Sequence, residues 1–355
     1  MRKKVLFGLL MITLVAALIG PWAKPAPAAE TIKLGFAHIW PASHYTHMHQ
    51  FPRYFKMVEK ATKGKYILDV KYYPVGTLIG GSELYDGIIK GIAESGTSSC
   101  EYTPGRFPVM LTLTQPGIAL PANADAAAQA GWEFFKKSKP KEFEGVKVLY
   151  TYATGPGWLH SKFPIQRLDQ MKGLKIRCGA SQITAIKAVG GEPLAVVMGE
   201  VYLAAQKGII DANVAPLETL EAWKHHEIFD HSTFVPHFYS AFFWVAMNWD
   251  KWKALPKDLQ AAFDAVADDA AKEAGQIWER AHKSGRDFAA ASSGGHQFHY
   301  FPDTEAEKLR VLMLPIKEEY IRLLKGKGLP GEKIAEDGAT IMEKYNKLKY
   351  EPWKP

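Results

Sequence analysis

Cysteine is almost absent: Cys100 and Cys178 are the only two in 355 residues, which excludes a disulfide-built scaffold and leaves at most one bridge between them. Beyond residue 30 no apolar run approaches the roughly 20 residues that a membrane-spanning helix needs; the longest patch, 241–246, is the size of one strand. There is no Gly-x-Ser-x-Gly elbow, no glycine-rich phosphate loop and no cysteine in a nucleophile setting, so a hydrolase would lack a visible nucleophile. Charge of one sign is also scarce. The formal net charge of +7 includes Arg2, Lys3, Lys4 and Lys24 with no acidic residue before Glu30, so the chain from residue 30 carries +3. That is too little to argue for nucleic acid, and it suits an anionic ligand.

What is present begins with an address. Arg2, Lys3 and Lys4 precede an apolar stretch over 5–19, then Pro21 and the small residues Ala26-Pro27-Ala28-Ala29. This is a secretory signal peptide over 1–29, with cleavage after Ala28 or Ala29 and a periplasmic destination.

After it, 31–38 reads as a strand, 41–62 as an amphipathic helix ended by Gly64, and 66–73 as a second strand. Strand, helix and strand in this order make a βαβ unit, so the fold class is α/β with mixed, mostly parallel sheets. A quasi-repeat follows. Glu83-Leu84-Tyr85 leads to Lys90-Gly91-Ile92 at the same spacing that takes Glu200-Val201-Tyr202 to Lys207-Gly208-Ile209. Each copy is a helix with an acid at its start and a lysine and glycine at its end, expected to run into apolar strands from Ile92 and over 209–212. Two such units imply two lobes of like construction. Between them Thr154-Gly155-Pro156-Gly157 follows a strand at 146–152 and marks a crossover or hinge. A helix with proline in its first turn is expected from about 256 to 291, some 50 Å at roughly 1.5 Å per residue, enough to lie across both lobes.

The segment Leu168-Asp169-Gln170-Met171-Lys172-Gly173-Leu174-Lys175-Ile176-Arg177 resembles the DctP-type receptors of TRAP (tripartite ATP-independent periplasmic) transporters. The resemblance continues through Gly190-Gly191-Glu192-Pro193, Gly199-Glu200-Val201-Tyr202, Gln206 to Asp211, Met247-Asn248 and Leu255-Pro256, and covers nearly the whole chain after residue 30. It implies a two-lobed periplasmic binding protein fold. Lobe I is expected over 30–153 and about 241–280, lobe II over 154–240 and about 281–345, and a Pro-rich tail over 346–355. It also implies a monomer without enzymatic activity or cofactor, which captures a small organic anion and hands it to ion-driven membrane subunits.

Arg177 falls on the arginine with which such receptors hold a carboxylate. The chemistry agrees independently: a guanidinium presents a rigid fork of donors to two carboxylate or sulfonate oxygens, and expulsion of water strengthens the pair. His38 and Trp40 end the first strand, where the family often places ligand contacts, and Trp158 adds an aromatic surface after the hinge. Glu101 and Tyr102 could answer a hydroxyl or amino group. Ser99 stands where some members carry an acidic contact, Met198 replaces a common aromatic, and Asn213 precedes Ala215-Pro216 where the family often has Asn-Pro. The second arginine of some members has no counterpart, which argues against sialic acid and against a classical dicarboxylate. A non-acidic ligand such as an amino alcohol is the alternative. His44, His47 and His49, and His296 with His299, are candidate metal ligands, but no metalloprotease glutamate accompanies them.

Overall fold

The computed structural model describes residues 29–236 and 238–350. All of the expected signal peptide but Ala29, and the last five residues of the tail, lie outside that range. Along the chain run β1 (Glu30–His38), α1 (Phe51–Ala61) led by a π-helical turn at Thr46–Gln50, β2 (Tyr66–Tyr73), α2 (Leu84–Ile89), β3 (Ser95–Ser99), α3 (Ala124–Ser138) and β4 (Val146–Ala153). There follow β5 (Trp158–Ser161), β6 (Lys175–Cys178), α4 (Ile183–Ala188), β7 (Glu192–Ala195), α5 (Met198–Gln206), β8 (Ala212–Ala215), α6 (Glu218–Ala222), β9 (His231–Phe234) and β10 (Phe242–Asn248). The chain ends with α7 (Trp249–Ala254), α8 (Lys257–Ala265), α9 (Ala267–Ala291), β11 (Gln297–Tyr300), α10 (Asp303–Gly326) and α11 (Gly331–Asn346).

Two mixed sheets result, one in each lobe. The first has the order β2-β1-β3-β10-β4 and the second β11-β9-β5-β8-β6-β7. In the first, β1 runs parallel to β2 and β3, while β10 is antiparallel to β3 and β4. Alternation explains the edge: Tyr66 and Leu68 of β2 point inward while Ile67 is exposed. In α1 the buried Phe51, Tyr54, Phe55 and Val58 recur at helical spacing and cover that sheet. Residues 154–157 carry the chain from β4 in the first sheet to β5 in the second.

Three expectations are corrected. The strands after the quasi-repeat begin later than Ile92 and Ile209, which are exposed turn residues. Gly91 and Gly208, at φ 72° and 70°, turn the chain through the left-handed region that only glycine enters at low cost, and three residues pass before β3 and β8 begin. The single long helix is two, divided at Val266 (φ −95°, ψ 0°), with Asp268 and Asp269 giving the second a fresh acidic first turn; Pro256 caps α8 from outside instead of lying in its first turn. The 25 residues of α9 span about 37 Å and still touch both lobes, packing on α3 and β4 of the first and α6 of the second. Finally α11, expected in lobe II, packs against α3 of lobe I, because its buried Ile334, Ile341 and Met342 face that way and Lys137–Asp337 and Lys344–Glu133 pair across the joint at 3.0 and 2.6 Å.

Where α9 crosses lobe II it presents Gly285 to α6. A Cβ there would come within 2.2 Å of the Leu217 carbonyl oxygen, a backbone atom that cannot swing aside. Gly285→Ala is therefore expected to cost about 1–3 kcal/mol, read as a lowered denaturant midpoint with an unchanged slope.

Candidate functional site

The lobes meet around a narrow cavity lined from both sides, the kind of place between domains where small-molecule sites form. Arg177 reaches it from the end of β6, where ligands sit in open α/β sheets. Its neighbour Ile176 packs into the core, as alternation requires. The guanidinium is 2% exposed. Its Nε donates to the Val196 carbonyl at 2.9 Å, and Nη1 makes longer contacts with Asn213 Oδ1 at 3.4 Å and the Val214 carbonyl at 3.5 Å. Among the described residues no carboxylate forms an ion pair with it. A buried cation without a counter-ion is costly, and here it faces an enclosed space.

Much of the remaining wall is aromatic. Trp40 and Phe243 lie 5.0 Å apart between ring centres, and Phe243 stacks on Trp278 of α9 at 5.8 Å and 13°. Tyr102, Trp223 and Tyr239 complete it. Trp278 Nε1–H is buried without an acceptor among the described residues.

Four hydrogen bonds join the lobes beside the cavity. Met198 N–H donates to Tyr102 Oη at 3.0 Å, Gln182 Nε2 donates to Glu101 Oε1 at 3.2 Å, the hydroxyls of Thr114 and Ser181 meet at 2.5 Å, and His44 Nε2 contacts Glu218 Oε2 at 3.0 Å. The structure is thus a closed form. Glu101 reaches across so far that its Oε2 lies against Gly179, where a Cβ would be only 1.7 Å away.

Burial pushes the Glu101 carboxyl up to about 7, against weaker lowering by Ser181, Gln182 and Arg177. The other titratable groups that sense it are Tyr102, Tyr239, Cys100 and Cys178, each raised by its own burial. Opening the lobes returns Glu101 to water and to the ordinary carboxylate range, so closure takes up a proton between those two values. Binding of a carboxylic acid is therefore expected to weaken as pH rises from about 5 to about 8, with a flatter profile in Glu101→Gln, measured by calorimetric titration at several pH values.

Of the residues singled out from sequence, the cavity brings together Arg177, Trp40, Ser99, Glu101 and Met198. Asn213 lies directly behind Arg177, fully buried. Two lie elsewhere. His38 is buried beneath Trp40, accepting its N–H at 3.3 Å and meeting His47 at 2.9 Å, and burial with the neighbouring His47 and His44 pushes it down to about 3. Trp158 faces the far side of β5, packed with Phe234, Phe298 and Tyr300, because its register partner on β9 is Phe234. Trp244, by contrast, packs in the core against Tyr85. The candidate metal-ligating histidines have protein partners: His44 meets Glu218 and Thr46, His296 meets Ser232, and His299 meets His231. Cys100 and Cys178 are both buried and unlinked. Sequence reasoning missed Glu218, Trp223, Tyr239, Phe243 and Trp278, which come from four separate segments with no shared local pattern.

Two α/β lobes closing on a cavity, with a crossing helix and a buried arginine that forms no ion pair, are the architecture of a solute-binding receptor. More narrowly, the chain belongs to the bacterial extracellular solute-binding proteins of family 7, the DctP family, whose pattern matches residues 36–323; it is a TRAP-type receptor, and such receptors work with membrane transporter subunits. It is 27% identical over 251 residues to the 2,3-diketo-L-gulonate-binding periplasmic protein of Escherichia coli, covering 68% of this chain and 73% of that one. To the C4-dicarboxylate-binding periplasmic protein of Rhodobacter capsulatus it is 24% identical over 313 residues, covering 86% and 92%. A TRAP solute-binding protein of an unidentified marine microbe, specific for aromatic acids and solved with 3-hydroxybenzoate, superposes with a TM-score of 0.84 at 25% identity over 90% of this chain and 100% of that one.

Proposed function

We propose that this receptor acts in the periplasm, where it closes on a small monocarboxylate with an aromatic or compact apolar body and delivers it to ion-driven membrane subunits. The observation that carries this reading is Arg177, buried without an ion pair in a cavity walled largely by rings. A ligand carboxylate supplies the missing charge through two parallel hydrogen bonds, and Trp40, Phe243 and Trp278 cover the body. One arginine serves one carboxylate, and the aromatic-acid relative supports the same class. Glu101, Ser99 and Met198 line the rest, and Asn213 orients the arginine.

A thermal-shift screen of the mature chain tests this against benzoate, phenylacetate, short aliphatic acids, dicarboxylates, sulfonates and amino alcohols. An acid held at about 100 times its dissociation constant stabilises by roughly 2.7 kcal/mol, a clear rise in melting temperature. A shift with amino alcohols and none with any acid would overturn the proposal.

A further inference from the structure

The cavity contains one unpaired cation and two carboxyls, and a bare acid uses only the cation. Glu218 is answered by His44 from the opposite lobe at 3.0 Å. Glu101 forms no ion pair: among the described residues no lysine, arginine or histidine bonds to it, Arg177 acts on it only weakly through space, and its donors are the Gln182 amide at 3.2 Å and the Ser181 hydroxyl. A carboxyl has about four acceptor positions, and this one is 5% exposed in the closed form. An acid that seats its carboxylate on Arg177 and turns only carbon toward Glu101 leaves the positions not taken by Gln182 and Ser181 dry, at the cost of desolvating them.

Resting on the carboxylate reading of the same cavity, we propose that the ligand is a hydroxy acid, its carboxylate held by Arg177 and its hydroxyl donating to Glu101. Glu101 is then the residue that selects hydroxylated acids over their bare counterparts. A hydroxyl suits this position better than an ammonium. Burial favours the uncharged carboxyl, and a buried ammonium needs a full opposite charge, whereas a hydroxyl is accepted by the carbonyl oxygen of either form.

Matched pairs test this by calorimetric titration of the mature chain: propionate with lactate, phenylacetate with mandelate, benzoate with 3-hydroxybenzoate, and phenylglycine as the amino counterpart of mandelate. In at least one pair the hydroxylated member is expected to bind about tenfold more tightly, the worth of one good hydrogen bond. Glu101→Ala should remove the preference and Glu101→Gln, whose amide oxygen still accepts, should keep part of it. Melting curves close to the wild type show that both variants fold, and the readout is the affinity ratio within each pair, because loss of the interlobe bond to Gln182 acts on both members alike. Equal binding within every pair that binds, or a preference that survives Glu101→Ala, would overturn the hydroxy-acid inference and leave the carboxylate receptor standing. Tighter binding of phenylglycine than mandelate would replace the hydroxyl by an ammonium. Failure of every carboxylate to bind the wild type takes both readings down together.

Discussion

Arg177→Ala is expected to weaken carboxylate binding by about 100- to 1,000-fold, because removing one member of a buried, hydrogen-bonded charge pair costs some 3–4 kcal/mol. The loss has two parts: the bonds themselves, and the penalty of leaving the ligand's charge in a dry aromatic cavity. The unliganded protein should behave in the opposite sense. Arg177 is a buried cation whose firmest protein contact is one carbonyl at 2.9 Å, so its removal relieves desolvation and the melting temperature without ligand should hold or rise. Arg177→Lys keeps the charge but loses the planar fork and the bond to Val196, and should fall between wild type and alanine. Calorimetric titration paired with melting curves separates this pattern from simple misfolding, in which both quantities drop.

Gly179→Ala is the second large effect, and it acts on closure alone. Gly179 has an ordinary backbone conformation, φ −82° and ψ 172°, so alanine is acceptable there while the lobes are apart. In the closed form its methyl would lie 1.7 Å from Glu101 Oε2 and 2.9 Å from Gln182 Oε1. Glu101 cannot retreat without breaking its bond to Gln182, and overpacking of this kind costs about 1–3 kcal/mol, so ligand affinity should fall about 5- to 100-fold with little change in stability. The double variant Glu101→Ala with Gly179→Ala should recover much of the loss for a bare acid such as phenylacetate. Additive losses in the double variant would show that the two residues do not meet in the closed protein.

The fold was legible where a local pattern decides it. Alternation in β1 and β2, helical spacing in α1, and the paired Lys-Gly ends of α2 and α5 each record a backbone state set by nearby residues. The break at Val266 and the docking of α11 on α3 are different, since each depends on what lies across a joint formed by distant segments. The cavity divides the same way. Arg177 and Met198 were visible through motif context and Glu101 through its place after a strand, but Glu218 owes its position to His44, 174 residues away, and Trp278 to the path of α9. Trp158 and His38 show the limit of reasoning from strand ends: register sets one beside Phe234, and the other lies under Trp40.

The most direct measurement is a crystal structure of the mature chain with the carboxylic acid that gives the largest thermal shift. The expected result is a carboxylate paired in fork fashion with Arg177 at about 2.7–2.9 Å, the body between Trp40 and Trp278, and the Tyr102–Met198 and His44–Glu218 contacts joining the lobes. A ligand bound with its acid group away from Arg177, or between lobes that stay open, would contradict the account.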